Sequence, residues 1–409
     1  MKSLPLFAIL CTTILFSGCK DREVDAPDSK SVIHFVTLNG DEFVQDALVT
    51  KNGNQVYVGT SEQDAFAVIL SPDGSLLSHK MYGEADGREK FFCVIETADG
   101  NFVAVGSTTS RKFGAISTNS AGYAVKFSST GYVFWEKAYL HDAGQLLTKA
   151  LEKSDGSIYV TGDYSPSSAN TLVMKLSADG EIIWRKAFEV GAWHDIGKSI
   201  SILDENKILI GGVCSPSSFS SEVNKYVPYL IEVDERIVPR KVKERIYTEF
   251  RRSSNWDPLF LPFHLLSTPT GYIWAQEREE DGIPAYAHVV QLDAEMNVVS
   301  ENKIKGQGLI LISNFTSDGK DGFLLFGGSY PESNSTNIGL SKLMVLRLNG
   351  ASEIGWTSYA GSDNGFQRAI VGYKTDLGWR IGGFSKDPVV GNTKILHYAI
   401  NNTGDITHE

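Results

Sequence analysis

The sequence predicts an all-β chain: a seven-bladed β-propeller with four antiparallel strands per blade. Three observations predict it. A tight turn followed by a short β-rich run recurs seven times, a second pair of strands follows each recurrence, and the two ends of the chain complement one another. Self-similarity at a period of roughly 50 residues is the mark of a repeat array, in which one unit cannot bury its apolar faces alone.

The seven first turns and their strands are Asn52-Gly53 before Gln55–Gly59, Asp99-Gly100 before Phe102–Gly106, Asp155-Gly156 before Ile158–Gly162, and Glu205-Asn206 before Ile208–Gly212. Thr270-Gly271 before Tyr272–Ala275, Asp321-Gly322 before Phe323–Gly328, and Leu377-Gly378 before Trp379–Gly383 complete the series. Asp-Gly and Asn-Gly supply the positive φ that tight hairpin turns require. The second half of a unit is a third strand, a turn and a fourth strand, as in Phe66–Leu70 turning through Asp73-Gly74 and Leu343–Leu348 turning through Asn349-Gly350. The stretch Ser154–Phe188 shows three of the four strands most clearly, the last two joined through Asp179-Gly180. Trp135, Trp184 and Trp356 recur after the second turn, which predicts packing between blades and not a cofactor box. At the C-terminus the last unit reaches its third strand (394–400) and the turn at Asn402-Thr403-Gly404, then ends without a fourth strand. The segment Val32–Thr37 resembles the fourth strands elsewhere, so it is expected to complete the last blade and close the ring.

Composition limits the function classes. The 409 residues are 42% hydrophobic and 21% charged, enough for a sizeable core, and they carry a formal net charge of −11. That balance argues against general nucleic-acid binding, which needs a basic surface to displace counterions. Runs of β-branched and aromatic residues dominate, and no long stretch shows helical spacing.

The N-terminus supplies an address. Met1-Lys2 precedes an apolar run from Leu4 to Phe16 and then Ser17-Gly18-Cys19, the layout of a secretory signal and too short to span a membrane. Leu15-Phe16-Ser17-Gly18-Cys19 resembles a bacterial lipobox, with Phe16 a departure from its usual pattern. The resemblance implies cleavage before Cys19 and acylation of Cys19, dividing the chain into a signal peptide (1–18), a polar tether (19–30) and the propeller (31–409). Lys20 followed by acidic residues resembles the surface-export signal of Bacteroidota lipoproteins, which implies an outer-membrane location. Cys93 and Cys214 fall in the second and fourth units and are expected to be buried thiols with no disulfide between them.

The blades resemble those of bacterial extracytoplasmic propellers with the pattern Tyr-x-Val-x-Lys-Leu-x-x-x-Gly-x-x-x-Trp, a likeness that specifies a blade and no activity. Ser177–Trp184 does not meet the sialidase Asp box, because Gly180 directly follows Asp179. Quinone-dependent propellers share the Gly-x-x-x-Trp ending, but residues for their cofactor pocket are not found.

In an up-and-down blade the short a–b and c–d turns share one face, and the b–c loops and d–a connections share the other. The long segments 107–122, 164–170, 215–226, 277–285, 330–342 and 239–265 therefore all fall on one face, where a binding site is expected. In the last of these, Arg240, Lys241, Lys243, Arg245, Arg251 and Arg252 interleave with Tyr247, Phe250 and Trp256. Two readings stand: a long outer strand with solvated charges, or a site for an acidic ligand or protein. Ligand-binding candidates are Arg251, Arg252, Trp256, Trp193 and His194. Asp residues that recur in the d–a connections are read as turn caps. Neither a His-x-x-His or Cys-x-x-Cys pair nor a spaced carboxylate pair stands out, so no catalytic residue, metal or cofactor is assigned. The expected function is a monomeric, non-enzymatic binding or assembly module for protein or glycan at the cell envelope. The alternative is an extracytoplasmic polysaccharide hydrolase or lyase with its site in the funnel.

Overall fold

A computed structural model describes residues 33–38, 42–84, 86–113, 120–140, 143–165, 169–216, 226–250, 262–280, 283–306, 308–331, 341–361, 365–387 and 391–407. Seven antiparallel sheets follow one another along the chain, each in sequential strand order, as in Gly144–Glu152, Ile158–Ser165, Asn170–Leu176 and Ile182–Phe188. The predicted seven-bladed propeller is the fold. Strands b and c read as almost continuous apolar runs because neighbouring blades cover both of their faces. Tyr159 and Val160 in one blade, and Val345 and Leu346 in another, are completely buried. Strand d, at the rim, is the most exposed of the four, as in Leu76–Tyr82 and Ile182–Phe188.

The recurrent tryptophans pack between blades, as expected. The Trp135 indole donates to the carbonyl of Ala178 in the next blade at 3.1 Å, and its ring lies 3.1 Å from where a Cβ on Gly180 would stand. Trp184 donates to Glu235 of the following blade at 3.0 Å. Cys93 and Cys214 are free and buried.

The ring closes through the N-terminal strand. Ile33–Leu38 pairs antiparallel with Thr393–Asn401, strand c of the last blade, with Leu38 opposite Thr393 and Ile33 opposite His397. Sequence reasoning gave the last unit no fourth strand of its own, and here the structure differs. Ile406–Thr407 forms a two-residue strand opposite Ala399 and Ile400, beyond the reach of the N-terminal strand. The outer edge of the last blade is thus a composite of both chain ends. A second difference lies in blade five: Gly271–Glu280 and Ile283–Asp293 continue as strands almost to their hairpin tip, so the expected long loop at 277–285 is a short one.

The innermost strands, which wall the axis, share a distortion. Six of the seven shift register at the same height: at Val44/Asp46, Phe91/Cys93, Leu147/Lys149, Gly197/Ser199, Ile312/Asn314 and Ala369/Val371. Opposite each bulge, strand b carries a glycine: Gly59, Gly106, Gly162, Gly212, Gly327 and Gly383. A Cβ on any of these would meet a carbonyl oxygen of the innermost strand at 1.7–2.3 Å. The bulge presses backbone against backbone, and only a residue without a side chain leaves room. Blade five has Gln276 at the glycine position, facing Phe263, and there the innermost strand Phe263–Thr268 pairs without a shift.

Candidate functional site: the funnel at the ring axis

Each bulge turns one extra side chain toward the axis. Gln45, Phe92, Thr148, Lys198, Ser313 and Ile370 occupy the bulge positions, and His264 stands in the regular strand of blade five. All seven line one cavity of about 450 Å³, together with Asp46, Lys149, Glu277, Leu311 and Arg368. All of these but Glu277, which is on strand b of blade five, lie in the starting or middle parts of the innermost strands. Because each innermost strand begins at the face carrying the b–c loops and d–a connections, the cavity sits toward that face. A second hollow, of about 650 Å³, lies on the opposite face among the short turns of blades five and six, lined by Thr268, Thr270, Asp321 and Gly350.

Charge is distributed unevenly in the funnel. Asp46 accepts the N–H of Ala47 and of Val94 in the next blade, both at 3.0 Å, and it is 7% exposed. Glu277 accepts the N–H of Ile312 in the next blade at 2.7 Å and is 5% exposed. Both carboxylates are sunk in the wall, where they join neighbouring blades. Lys149 lies 3.8 Å from Asp46, and its side chain remains a third exposed. The carboxylate of Asp46, with Cys93 nearby, holds its ammonium charged well above the usual lysine range. Burial pushes the Cys93 thiol up to about 12. Burial drives His264 down to about 3, and the positive charges of Lys149 and Lys198 push the same way, so its imidazole is neutral at physiological pH.

The sequence-predicted site residues are not among these. Arg251, Arg252, Trp256 and Cys19 lie outside the described residues, as does the side chain of Trp193. His194 adopts positive φ (51°) at the start of the blade-four innermost strand and does not line the funnel. Nearby, Asp195 accepts the N–H groups of Val190 and Gly191 at 2.7 and 3.0 Å, the turn-capping role expected of it, and burial raises its carboxyl to about 6.

The first half of the basic–aromatic segment belongs to the bland reading. Arg240–Ile246 is the outermost strand of blade four, with Lys241 paired to Glu244, and Lys243 to Glu295 at 2.9 Å. Tyr247 and Phe250 are buried against Trp274, with ring centroids 4.6 and 5.9 Å away. The funnel residues escaped sequence reasoning because no motif marks them. Their signal is a column: the residue directly after the one facing the strand-b glycine, variable and often polar. Among the described residues no group of His, Cys, Asp and Glu could hold a metal ion.

The fold and its axial cavity define the class: a seven-bladed propeller with a funnel open on the long-loop face. No family model matches the chain, and no curated protein matches it by sequence. Among solved structures, the chain is similar to a polysaccharide lyase, an ulvan lyase bound to -[GlcA(1-4)Rha3S]- (TM-score 0.53, 10% identity, 91% of this chain and 96% of that one). It is also similar to virginiamycin B lyase from Staphylococcus aureus (TM-score 0.50, 11% identity, covering 90% and 98%). A puromycin hydrolase matches over 89% of this chain but 53% of its own length (TM-score 0.50, 12% identity). At these identities the likeness is one of fold.

Proposed function

We propose that this chain is a lipid-anchored propeller of the bacterial cell envelope that binds a glycan or protein in its axial funnel without transforming it. The observation that carries the binding reading is the funnel itself: one cavity to which all seven innermost strands contribute, polar along the run from Thr148 to Ser313 and apolar at Phe92 and Ile370. Its size falls within the roughly 300–1,000 Å³ of small-ligand sites. The funnel's Lys149 stays charged and its His264 stays neutral near pH 7, which suits recognition better than proton transfer. The Leu15–Cys19 sequence supports the anchor, and the polar segment after it supports a Bacteroidota-type outer-membrane address. The N-terminal strand runs toward the funnel face, so its membrane-connected end points away from the funnel mouth.

Two experiments test the reading. Cys19→Ala is expected to abolish acylation and release the protein from the membrane fraction; a variant that fractionates like the parent contradicts attachment at Cys19. On a glycan array, the full chain in detergent is expected to retain ligands that Ser313→Trp, which fills the funnel, does not. Release of shortened or unsaturated oligosaccharides from a retained glycan would replace the binding reading with that of a polysaccharide hydrolase or lyase.

A further inference from the structure

We infer that the funnel takes an acidic sugar, a mono- or disaccharide unit bearing a carboxylate or sulfate, with its anionic group held by Lys198, Lys149 and Arg368. The inference rests on the funnel being the binding site and names the class of ligand it accepts. The two carboxylates of the wall are buried and accept backbone N–H groups, Asp46 also pairing with Lys149, whereas the three cations are half-buried and line the cavity, outnumbering the carboxylates by one. A ligand therefore meets positive charge first, inside a chain whose net charge is −11. Two nitrogens in the lining are buried without a hydrogen-bond partner: Nε of Arg368 and Nε2 of His264. The Arg368 guanidinium lies over the Phe366 ring, 4.8 Å from its centroid, which fixes its plane and leaves the Nε–H as a fixed donor. A buried charged donor left unmet is costly, and an anionic oxygen meets it.

The same cavity has an apolar side. Phe92 and Ile370, both at bulge positions, and Leu311 line it opposite the polar groups of the other blades. An aromatic face beside cations fits a pyranose ring, whose C–H groups pack on Phe92 while its acidic substituent reaches the lysines. An inorganic anion uses half of this lining, and a neutral sugar brings no charge to the cationic side of it.

The test is calorimetric titration of the full chain in detergent with galacturonic acid, digalacturonic acid, galactose 6-sulfate and galactose. At least one acidic probe is expected to bind at least roughly tenfold more tightly than galactose, and the preference is expected to shrink as salt rises. Lys198→Ala is expected to weaken that binding by roughly 10- to 100-fold and Lys198→Arg to restore most of it. Arg368→Lys, which keeps the charge but removes the Nε–H, is expected to weaken it as well. Melting temperatures equal to the parent's establish that the variants fold. Equal affinity for acidic and neutral probes, or full affinity in Lys198→Ala and Arg368→Lys together, overturns the acidic class and leaves the funnel reading standing. Binding of none of the four probes overturns the acidic class, and if Ser313→Trp also leaves array binding intact, the funnel reading falls with it.

Discussion

Gly106→Ala is expected to destabilise the chain by on the order of 4 kcal/mol, enough to prevent a marginally stable domain from folding at growth temperature. The new methyl carbon would lie 1.7 Å from the carbonyl oxygen of Lys90, 2.7 Å from its carbonyl carbon and 3.0 Å from the Cα of Phe91. All three are backbone atoms of the innermost strand, so no side chain can swing aside. Relief requires undoing the bulge between Phe91 and Cys93, which moves Phe92 off the axis and disturbs Phe91, itself packed on Tyr82 and Tyr123. Gly100→Ala in the same blade is the control. Gly100 has positive φ (77°), but a Cβ there has nothing within 4 Å, so the cost should be about 1–2 kcal/mol, from backbone conformation alone. Equilibrium denaturation of both variants checks this. Equal losses would mean that the glycines serve conformation and not the close approach.

Deleting the N-terminal strand, residues 33–38, is expected to have the second large effect: loss of more than about 3 kcal/mol and conversion of the propeller to aggregates. The strand supplies the backbone partner for most of the exposed edge of Thr393–Asn401 and buries Leu38, 1% exposed, beside Phe384 and Ile395. The Thr393 hydroxyl also donates to the carbonyl of Glu42 in blade one, so the junction between the last and first blades lies next to the pairing that is lost. The two-residue strand Ile406–Thr407 covers two positions of that edge and cannot replace it. Thermal melts with light scattering read the outcome. A deletion that melts as the parent does would show that the ring is held by blade contacts alone.

The fold was legible because its signals are local and repeated. Asp-Gly turns at Asp99, Asp155 and Asp179 fix hairpins wherever they occur, and apolar runs such as Phe102–Val105 mark strands covered on both faces. The closure of the ring was legible from Val32–Thr37 for the same reason, although the stub at Ile406–Thr407 was not, since two residues carry no periodicity. The site was legible only as a face. Lys149 and Lys198 sit four residues after Gln145 and after His194 with nothing in their neighbourhood to distinguish them; register shifts made visible only by pairing turn Lys198 inward and, beside Lys149, Thr148. Conversely, Arg240, Lys241 and Lys243 drew attention by density, a property that a solvated outer strand shares with a binding site.

The proposed mode of binding is entry of the ligand into the funnel. Its most direct measurement is the affinity of the full chain for its best glycan probe, compared between the parent and Ser313→Trp at equal melting temperature. An indole at position 313 occupies the cavity while leaving the outer strands and loops of the ring untouched. Loss of measurable binding in that variant is the predicted result; binding retained at the parent's affinity would place the ligand elsewhere and contradict the account.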